Sequence, residues 1–133
     1  MNRGLERGRF AASLLGLPFV PLADLAVGDY AIVVNATPCA GPGGEFPFDV
    51  RRLASGALVM DLVVRAAPTP LVQATEALGH TAIDGREVLL VEARRQFHLM
   101  TGRPMAAAAA RELLDGHRDE RADRPAERRK LIA

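Results

Sequence analysis

The sequence Tyr-Ala-Ile-Val-Val-Asn-Ala-Thr-Pro, residues 30–38, decides the fold that we expect for this chain. Its first five residues are apolar, most of them aromatic or β-branched, and turn-forming residues follow at once. A short apolar run that a turn closes indicates a strand buried on both faces. Strands of this kind belong to parallel sheets that helices cover, so the run predicts an α/β protein.

Asn35 and Thr37 stand at the carboxyl end of this predicted strand, and Pro38 ends it. In open α/β sheets, ligands bind outside the carboxyl ends of the strands. The side chains of Asn35 and Thr37 offer hydrogen-bonding groups there, and Ala36 leaves the approach open. The simpler alternative is that these residues only turn the chain from strand to loop. Taken alone, they favour that alternative.

Strand and helix patterns alternate along the rest of the chain. Apolar runs predict a second buried strand at residues 57–64, a short third strand at 81–83, and a very short strand at Phe19 and Val20. Helical patterns cover residues 5–15, 70–78, 86–100 and 105–115. This alternation predicts a parallel sheet with flanking helices.

A single carboxylate, Asp61, interrupts the second predicted strand. A buried carboxylate needs hydrogen-bond partners, and a strand end beside a helix N-terminus supplies them. Thr69 is a suitable N-cap, and Pro70 suits the first position of the helix that follows. We therefore expect a structural rather than a catalytic role for Asp61.

The totals of the sequence exclude several classes of protein. Seventeen basic and sixteen acidic residues leave a net charge of +1, which does not favour nucleic acid or a membrane surface as a partner. No apolar run is long enough to span a bilayer. The single cysteine fits a reducing compartment and predicts a cytoplasmic protein. The three histidines lack metal-ligand spacing, so we predict no metal site.

The composition changes at residue 117, where charged residues replace apolar ones. Too few apolar residues follow for that segment to fold by itself. We therefore expect one partial domain over residues 1–116 and a charged, disordered tail over residues 117–133.

Four motifs, in order, resemble the C-terminal half of the shikimate/quinate dehydrogenase family. Residues 2–7, Asn-Arg-Gly-Leu-Glu-Arg, are similar to the family's Asn-Arg-Thr-x-x-Arg, and residues 35–38 match its Asn-Ala-Thr-Pro. Residues 61–71 resemble Asp-Leu-Val-Tyr followed by Thr-Pro-Leu. Residues 84–102 resemble the closing helix, Gly-x-x-Met-Leu-Val-x-Gln…Phe…Trp-Thr-Gly.

The resemblance implies a Rossmann-type domain that binds NADP. Asn2, Arg3 and Arg7 would then meet the 2′-phosphate of the adenosine ribose, a contact for which arginine is well suited. Leu62 and Gly85 would line the nicotinamide site, beside the strand end that carries Asn35 and Thr37. These roles follow from the resemblance and not from the spacing.

At two positions this sequence differs from the family in residues that would contact the substrate. The resemblance implies that the substrate is a small molecule. Val64 stands where the family has a substrate-contacting tyrosine, and Glu92 stands where it has a substrate-binding glutamine. A carboxylate at that position would repel an anionic acid such as shikimate unless it is paired. The substrate therefore differs, or the substrate site is degenerate.

The family's substrate domain, with its catalytic lysine and aspartate, would precede residue 1, as would the first two strands and the glycine-rich phosphate loop. The sequence has no Gly-x-Gly-x-x-Gly, and no residue of it is predicted to be catalytic. In the strand order 3-2-1-4-5-6 this predicts a partial sheet with an unpaired edge. We expect a fragment of an oxidoreductase, inactive alone. The alternatives are a non-catalytic remnant, half of a split enzyme with a separate N-terminal half, or a domain like that of glutamyl-tRNA reductase.

Overall fold

The computed structural model describes residues 5–38 and 46–122, and it describes the side chains of the last helix only as far as residue 114. The chain divides into two compact units, Met1–Gly85 and Arg86–Ala133. The first unit contains the sheet, and the described part of the second unit is helical. The predicted boundary between a domain and a tail at residue 116 stays a prediction.

Three parallel strands form the sheet in the described part of the chain. They are β1 (Ile32–Asn35), β2 (Leu58–Asp61) and β3 (Thr81–Ile83), in the spatial order β1-β2-β3. The predicted parallel α/β sheet is thus confirmed. β1 begins later than the predicted apolar run and includes Asn35, whereas β2 stops at Asp61 and not at residue 64.

A helix, α2 (Pro70–Ala77), connects β2 to β3 and begins as the sequence predicts. Thr69 is the N-cap, and its side chain accepts a hydrogen bond from the backbone N–H of Val72. Pro70 occupies the first turn, where its missing N–H costs nothing. Leu71, Val72 and Thr75 form the buried side of this helix.

The core of the first unit lies between α2 and one face of the sheet. Its buried residues are apolar and come from β2, α2 and the turns that precede the strands: Val27, Val50, Leu53, Ala57, Val59 and Leu71. Val33 of β1 packs against this cluster, opposite its register partner Val59. Burial of these side chains is the main favourable contribution to the stability of the unit.

The other face of β1 is open, contrary to the prediction that this strand is buried on both faces. Ile32 is 63% exposed and Val34 is 51% exposed. Among the described residues, β1 lies at the edge of the sheet and pairs only with β2. An apolar run indicates that a strand can be buried, but the elements packed against it determine whether it is. The described residues provide no such element on this face of β1.

The first helix, α1 (Leu5–Leu15), has the predicted bounds, but the apolar face that its sequence predicts, with Leu5, Phe10, Leu14 and Leu15, is not buried. None of its described residues is buried, and Leu14 is 70% exposed. The ring of Phe19 packs against Gly8. A Cβ added at Gly8 would lie 2.4 Å from Cε2 of Phe19. The predicted strand at Phe19 and Val20 is wrong for the described chain: these residues are not in a strand, because a strand needs a hydrogen-bonded neighbour.

The second unit contains most of α3 (Gly85–Thr101) and all of α4 (Ala107–Ala122). The Arg111 guanidinium Nη2 lies 2.7 Å from Oε1 and 3.0 Å from Oε2 of Glu87. Arg94 Nε donates to the carbonyl of Met105 over 2.9 Å. These contacts join the two helices within this unit.

The many apolar residues of the helix at residues 86–100 predict that a wide arc of it is buried, and this prediction is wrong. Leu90 is buried, but Val91, Leu99 and Met100 are exposed, since the described residues provide no neighbour for most of the helix. The predicted end of the last helix at residue 115 is also wrong, because α4 continues to Ala122. No helix in the described part of the chain has the length and apolar character needed to cross a membrane.

The fold predicts a large effect for one leucine truncation in the first unit and almost no effect for another. Leu71→Ala should lower the free energy of unfolding by about 2–5 kcal/mol, because Leu71 is fully buried in the core. Leu14→Ala should change it by less than about 0.5 kcal/mol, because that side chain is exposed. Urea denaturation of the 133-residue chain measures both. Equal losses would mean that α1 is covered in solution.

Candidate functional site

The carboxyl ends of β1 and β2 place two polar side chains side by side. Asn35 and Asp61 are register partners in the parallel ladder. Nδ2 of Asn35 donates to Oδ1 of Asp61 over 3.0 Å. Asn35 is 2% exposed and Asp61 is fully buried, so water does not compete for this hydrogen bond.

Asp61 also ties β2 to the start of α2. The Thr69 hydroxyl donates to Oδ2 of Asp61 over 2.5 Å, and the backbone N–H of Val63 donates to Oδ1 over 3.2 Å. Thr69 Oγ1 in turn accepts from the N–H of Val72 over 3.3 Å. The expectation that Asp61 finds its partners at a strand end beside a helix N-terminus is confirmed.

The partners of the Asn35 amide hold it in one orientation. Because Nδ2 faces Asp61, Oδ1 faces the turn that follows β1. There it accepts from the Thr37 N–H over 3.0 Å and from the Thr37 hydroxyl over 2.7 Å. A side chain that replaces a backbone acceptor in this way fixes the path of the chain after a strand. We call Asn35, Thr37, Asp61 and Thr69 the strand-end cluster.

Leu62 and Gly85 lie at the same edge of the sheet. The Leu62 N–H donates to the carbonyl of Asn35 over 2.9 Å. A Cβ at Gly85 would lie 2.6 Å from the carbonyl oxygen of Val63 and 2.9 Å from the carbonyl carbon of Leu62. Only glycine permits so close a backbone approach. The structure thus brings Leu62 and Gly85 next to the strand-end cluster.

The other predicted site residues are not joined to this edge. Arg7 is exposed on α1, and within the described residues no hydrogen bond or ion pair links it to the strand-end cluster. Val64 follows β2 in the first unit and is half-exposed, whereas Glu92 is exposed on α3 in the second unit. Asn2 and Arg3 lie outside the described residues. The binding roles of all these residues stay predictions.

Reasoning from the sequence missed the hydrogen bond between Asn35 and Asp61. A signal was available, because each is the polar residue that closes an apolar strand. Where two such strands are parallel neighbours, these residues meet at the same edge. Among the described residues, no group of three or more His, Cys, Asp or Glu side chains could hold a metal ion.

Comparison with known proteins identifies related enzymes, although no family model matches the chain. The curated shikimate dehydrogenase (NADP(+)) of Nitrobacter winogradskyi is 36% identical over 121 residues, which cover 86% of this chain and 43% of the relative. The shikimate 5-dehydrogenase of Thermus thermophilus, solved in complex with NADP(H) and shikimate, is 26% identical with a TM-score of 0.69. The match covers 84% of this chain and 42% of that enzyme.

A third relative shows the fold alone. The shikimate dehydrogenase of Aquifex aeolicus is 19% identical with a TM-score of 0.73, over 85% of this chain and 42% of the enzyme. The chain thus spans about two fifths of the length of the relatives described here. The predicted resemblance to the shikimate/quinate dehydrogenases and the partial Rossmann-type fold are confirmed.

The close approach at Gly85 predicts a local effect of one added methyl group. Gly85→Ala should move the backbone amide NMR signals of Leu62 and Val63, because the new Cβ would overlap their carbonyl groups. Gly79→Ala is the matched control: its φ of 78° makes alanine strained by about 1–2 kcal/mol, but its Cβ would meet open space. If both variants leave the two signals unchanged, the backbone of Gly85 does not lie against Leu62 and Val63.

Proposed function

We propose that this chain, a relative of the shikimate dehydrogenases, supplies the NADP-binding half of an oxidoreductase. The enzyme transfers hydride between NADP and a cyclic hydroxy acid of the shikimate/quinate class. The observation that carries the proposal is the strand-end cluster, which lies at the carboxyl edge of a parallel sheet. Ligands bind at this edge in such sheets, and the Thermus thermophilus relative was solved with NADP(H) and shikimate.

The residues at this edge fit one end of the cofactor. The turn fixed by Asn35 and Thr37 offers polar groups at this edge, and the part-exposed Leu62 and the close-packed Gly85 lie beside it. When bound, NADP supplies the nicotinamide ring that carries the hydride, and these residues would hold the ring in place. The sequence has no Gly-x-Gly-x-x-Gly to hold the pyrophosphate, so that part of the site has to come from elsewhere.

Arg3 and Arg7, together with Asn2, would select NADP over NAD by binding the 2′-phosphate. Arg7 is exposed on α1, so its guanidinium is accessible to a ligand. Hydrogen bonds between arginine and phosphate are charge-assisted and contribute about 1.5–3 kcal/mol each. Solvent exposure and salt reduce that contribution.

The arginine proposal is tested in an enzyme reassembled with the N-terminal half of the Nitrobacter winogradskyi relative. Arg7→Ala should lower kcat/KM for NADP about tenfold while changing that for NAD little, and Arg3→Ala should act in the same direction. Arg9→Ala is the matched control, since Arg9 is exposed on the same helix. If the alanine variants weaken NAD and NADP equally, these arginines do not bind the 2′-phosphate.

Glu92 and Val64 would alter the recognition of the acid. The carboxylate of Glu92 repels a substrate carboxylate, and at about 4 Å in water two unit charges interact by about 1 kcal/mol. Val64 has no hydroxyl group to offer the substrate. The reassembled enzyme should therefore bind shikimate weakly, or prefer a less acidic relative of it.

Removing the charge of Glu92 should relieve this repulsion. Glu92→Gln should lower the KM for shikimate several-fold in the reassembled enzyme, as expected for about 1 kcal/mol. Glu112→Gln, an exposed position on α4, is the control. An unchanged KM in the Glu92 variant would place the substrate carboxylate away from this side chain.

A separate N-terminal half is the partner that we propose. One edge of β1 pairs with no strand among residues 5–38 and 46–122, and this edge and the exposed Ile32 and Val34 offer a parallel strand a place to pair. Two apolar grooves of about 460 Å³ and 190 Å³, one beside α1 and one along β1, share Leu25. An added strand would cover this surface, and the chain alone would be inactive. The cytoplasmic location predicted from the single cysteine stays a prediction.

The second candidate is a non-catalytic remnant of the same family. The exposed apolar faces of α1 and β1 favour it, because a remnant released from selection for activity could still fold through its core. We do not favour a domain like that of glutamyl-tRNA reductase, because the relatives described above are shikimate dehydrogenases.

A further inference from the structure

We propose that Asp61 is a positioning residue that sets the direction of the hydrogen bonds that link Asn35, Thr37, Asp61 and Thr69. It thereby holds the turn after β1 and the N-terminus of α2 in a single arrangement. The inference builds on the proposed function only in taking this edge as the cofactor edge. Asp61 itself touches no ligand in this proposal and acts through Asn35 and Thr69.

The direction of the hydrogen bonds follows from the chemistry of a carboxylate, which accepts and does not donate. Oδ1 of Asp61 accepts from Asn35 and from the Val63 N–H, and Oδ2 accepts from the Thr69 hydroxyl. Asn35 must therefore present its NH₂ group to Asp61. Its carbonyl oxygen is left facing Thr37, which donates to it twice.

The same constraint determines the cap of α2. A threonine hydroxyl has one proton, and that of Thr69 is directed at Asp61. Its oxygen then has a lone pair for the N–H of Val72, from which it accepts. One carboxylate thus sets the amide orientation of a residue 26 positions away and the hydroxyl orientation of one 8 positions away.

The three buried members of the strand-end cluster cannot exchange these partners for water. Asn35, Asp61 and Thr69 are each at most 2% exposed, so water cannot replace a lost bond. In the described part of the chain, no buried side-chain nitrogen or oxygen lacks a hydrogen-bond partner. Changing one acceptor into a donor therefore leaves either a donor facing a donor or the Thr69 proton without its acceptor.

Asp61→Asn makes this change with almost no change of shape. If the new amide keeps its oxygen toward Thr69, its NH₂ faces the NH₂ of Asn35. Asn35 then has to flip, which turns its NH₂ onto the N–H of Thr37. If the new amide faces the other way, its NH₂ faces the oxygen of Thr69, and the Thr69 proton loses the acceptor that it has in Asp61. The first orientation releases the turn, and the second loosens the cap because its hydroxyl is no longer held by an acceptor.

The exchange of backbone amide hydrogens in the full 133-residue chain, followed by NMR, tests the proposal. Asp61→Asn should speed exchange at Thr37 or Val72 about tenfold more than at the amides of β2. Asp49→Asn is the matched control, because Asp49 is a partly exposed surface carboxylate that accepts from Arg51. Uniform acceleration at all amides, or none at Thr37 and Val72, would overturn the proposal.

Swapping the side chains of Asn35 and Asp61 gives a test that does not depend on the fold of the single variant. In the double variant Asn35→Asp with Asp61→Asn, the carboxylate at 35 still accepts from Thr37 and from the amide at 61. That amide's oxygen still accepts from Thr69. Slow exchange at Thr37 and Val72 should return, and only the Val63 N–H should stay fast. No recovery would mean that shape, and not direction, holds the cluster.

A second pair of variants tests the α2 side of the cluster, and cofactor binding separates this inference from the proposed function. Thr69→Ser keeps the hydroxyl and should leave exchange at Val72 slow, whereas Thr69→Val should speed it; equal rates would overturn the proposal. The NMR measurements need no cofactor. If they succeed while the reassembled enzyme fails to bind NADP, the proposed function fails and the positioning role stands. If NADP binds while Asp61→Asn speeds exchange equally at all amides, the positioning role fails and the proposed function stands.

Discussion

The buried carboxylate of Asp61 is the constraint on which the organisation of the first unit depends. It joins the end of β1 through Asn35, the end of β2 through its own backbone, and the start of α2 through Thr69. A buried charge is costly unless it is hydrogen-bonded, so the three elements have to meet where it can be satisfied. The apolar core drives the collapse of the unit, but this cluster specifies how the strand ends align.

The same cluster explains why a small sheet can present a defined edge. Only three strands are present in the described residues, and β1 has one face open to solvent. An edge strand with a free side is prone to slip or to pair wrongly. The hydrogen bond between Asn35 and Asp61 fixes the register of β1 against β2 at the carboxyl end, where a ligand would bind. Gly85 lets its own backbone approach that edge without displacing it.

Local patterns predicted the elements whose determinants are local. The cap at Thr69 and the proline at 70 predicted the start of α2, and the short apolar run at 81–83 predicted β3 correctly. The predictions of burial failed where packing against neighbouring elements determines whether a side chain is buried. Ile32, Val34 and Leu14 have apolar side chains that the described residues do not cover, and Phe19 and Val20 form no strand. Asn35 and Thr37 were identified individually, but their link to Asp61 depends on the pairing of strands distant in sequence.

The function is most directly tested by reassembly. The 133-residue chain is mixed with the N-terminal half of the Nitrobacter winogradskyi enzyme, and NADPH formation from NADP and shikimate or quinate is followed by absorbance. We expect no turnover by either piece alone and NADP-dependent turnover by the mixture, reduced by Arg7→Ala. Turnover by the 133-residue chain alone would contradict the division of the site between two pieces. A stable mixture that binds no NADP would contradict the assignment of this chain as the cofactor-binding half.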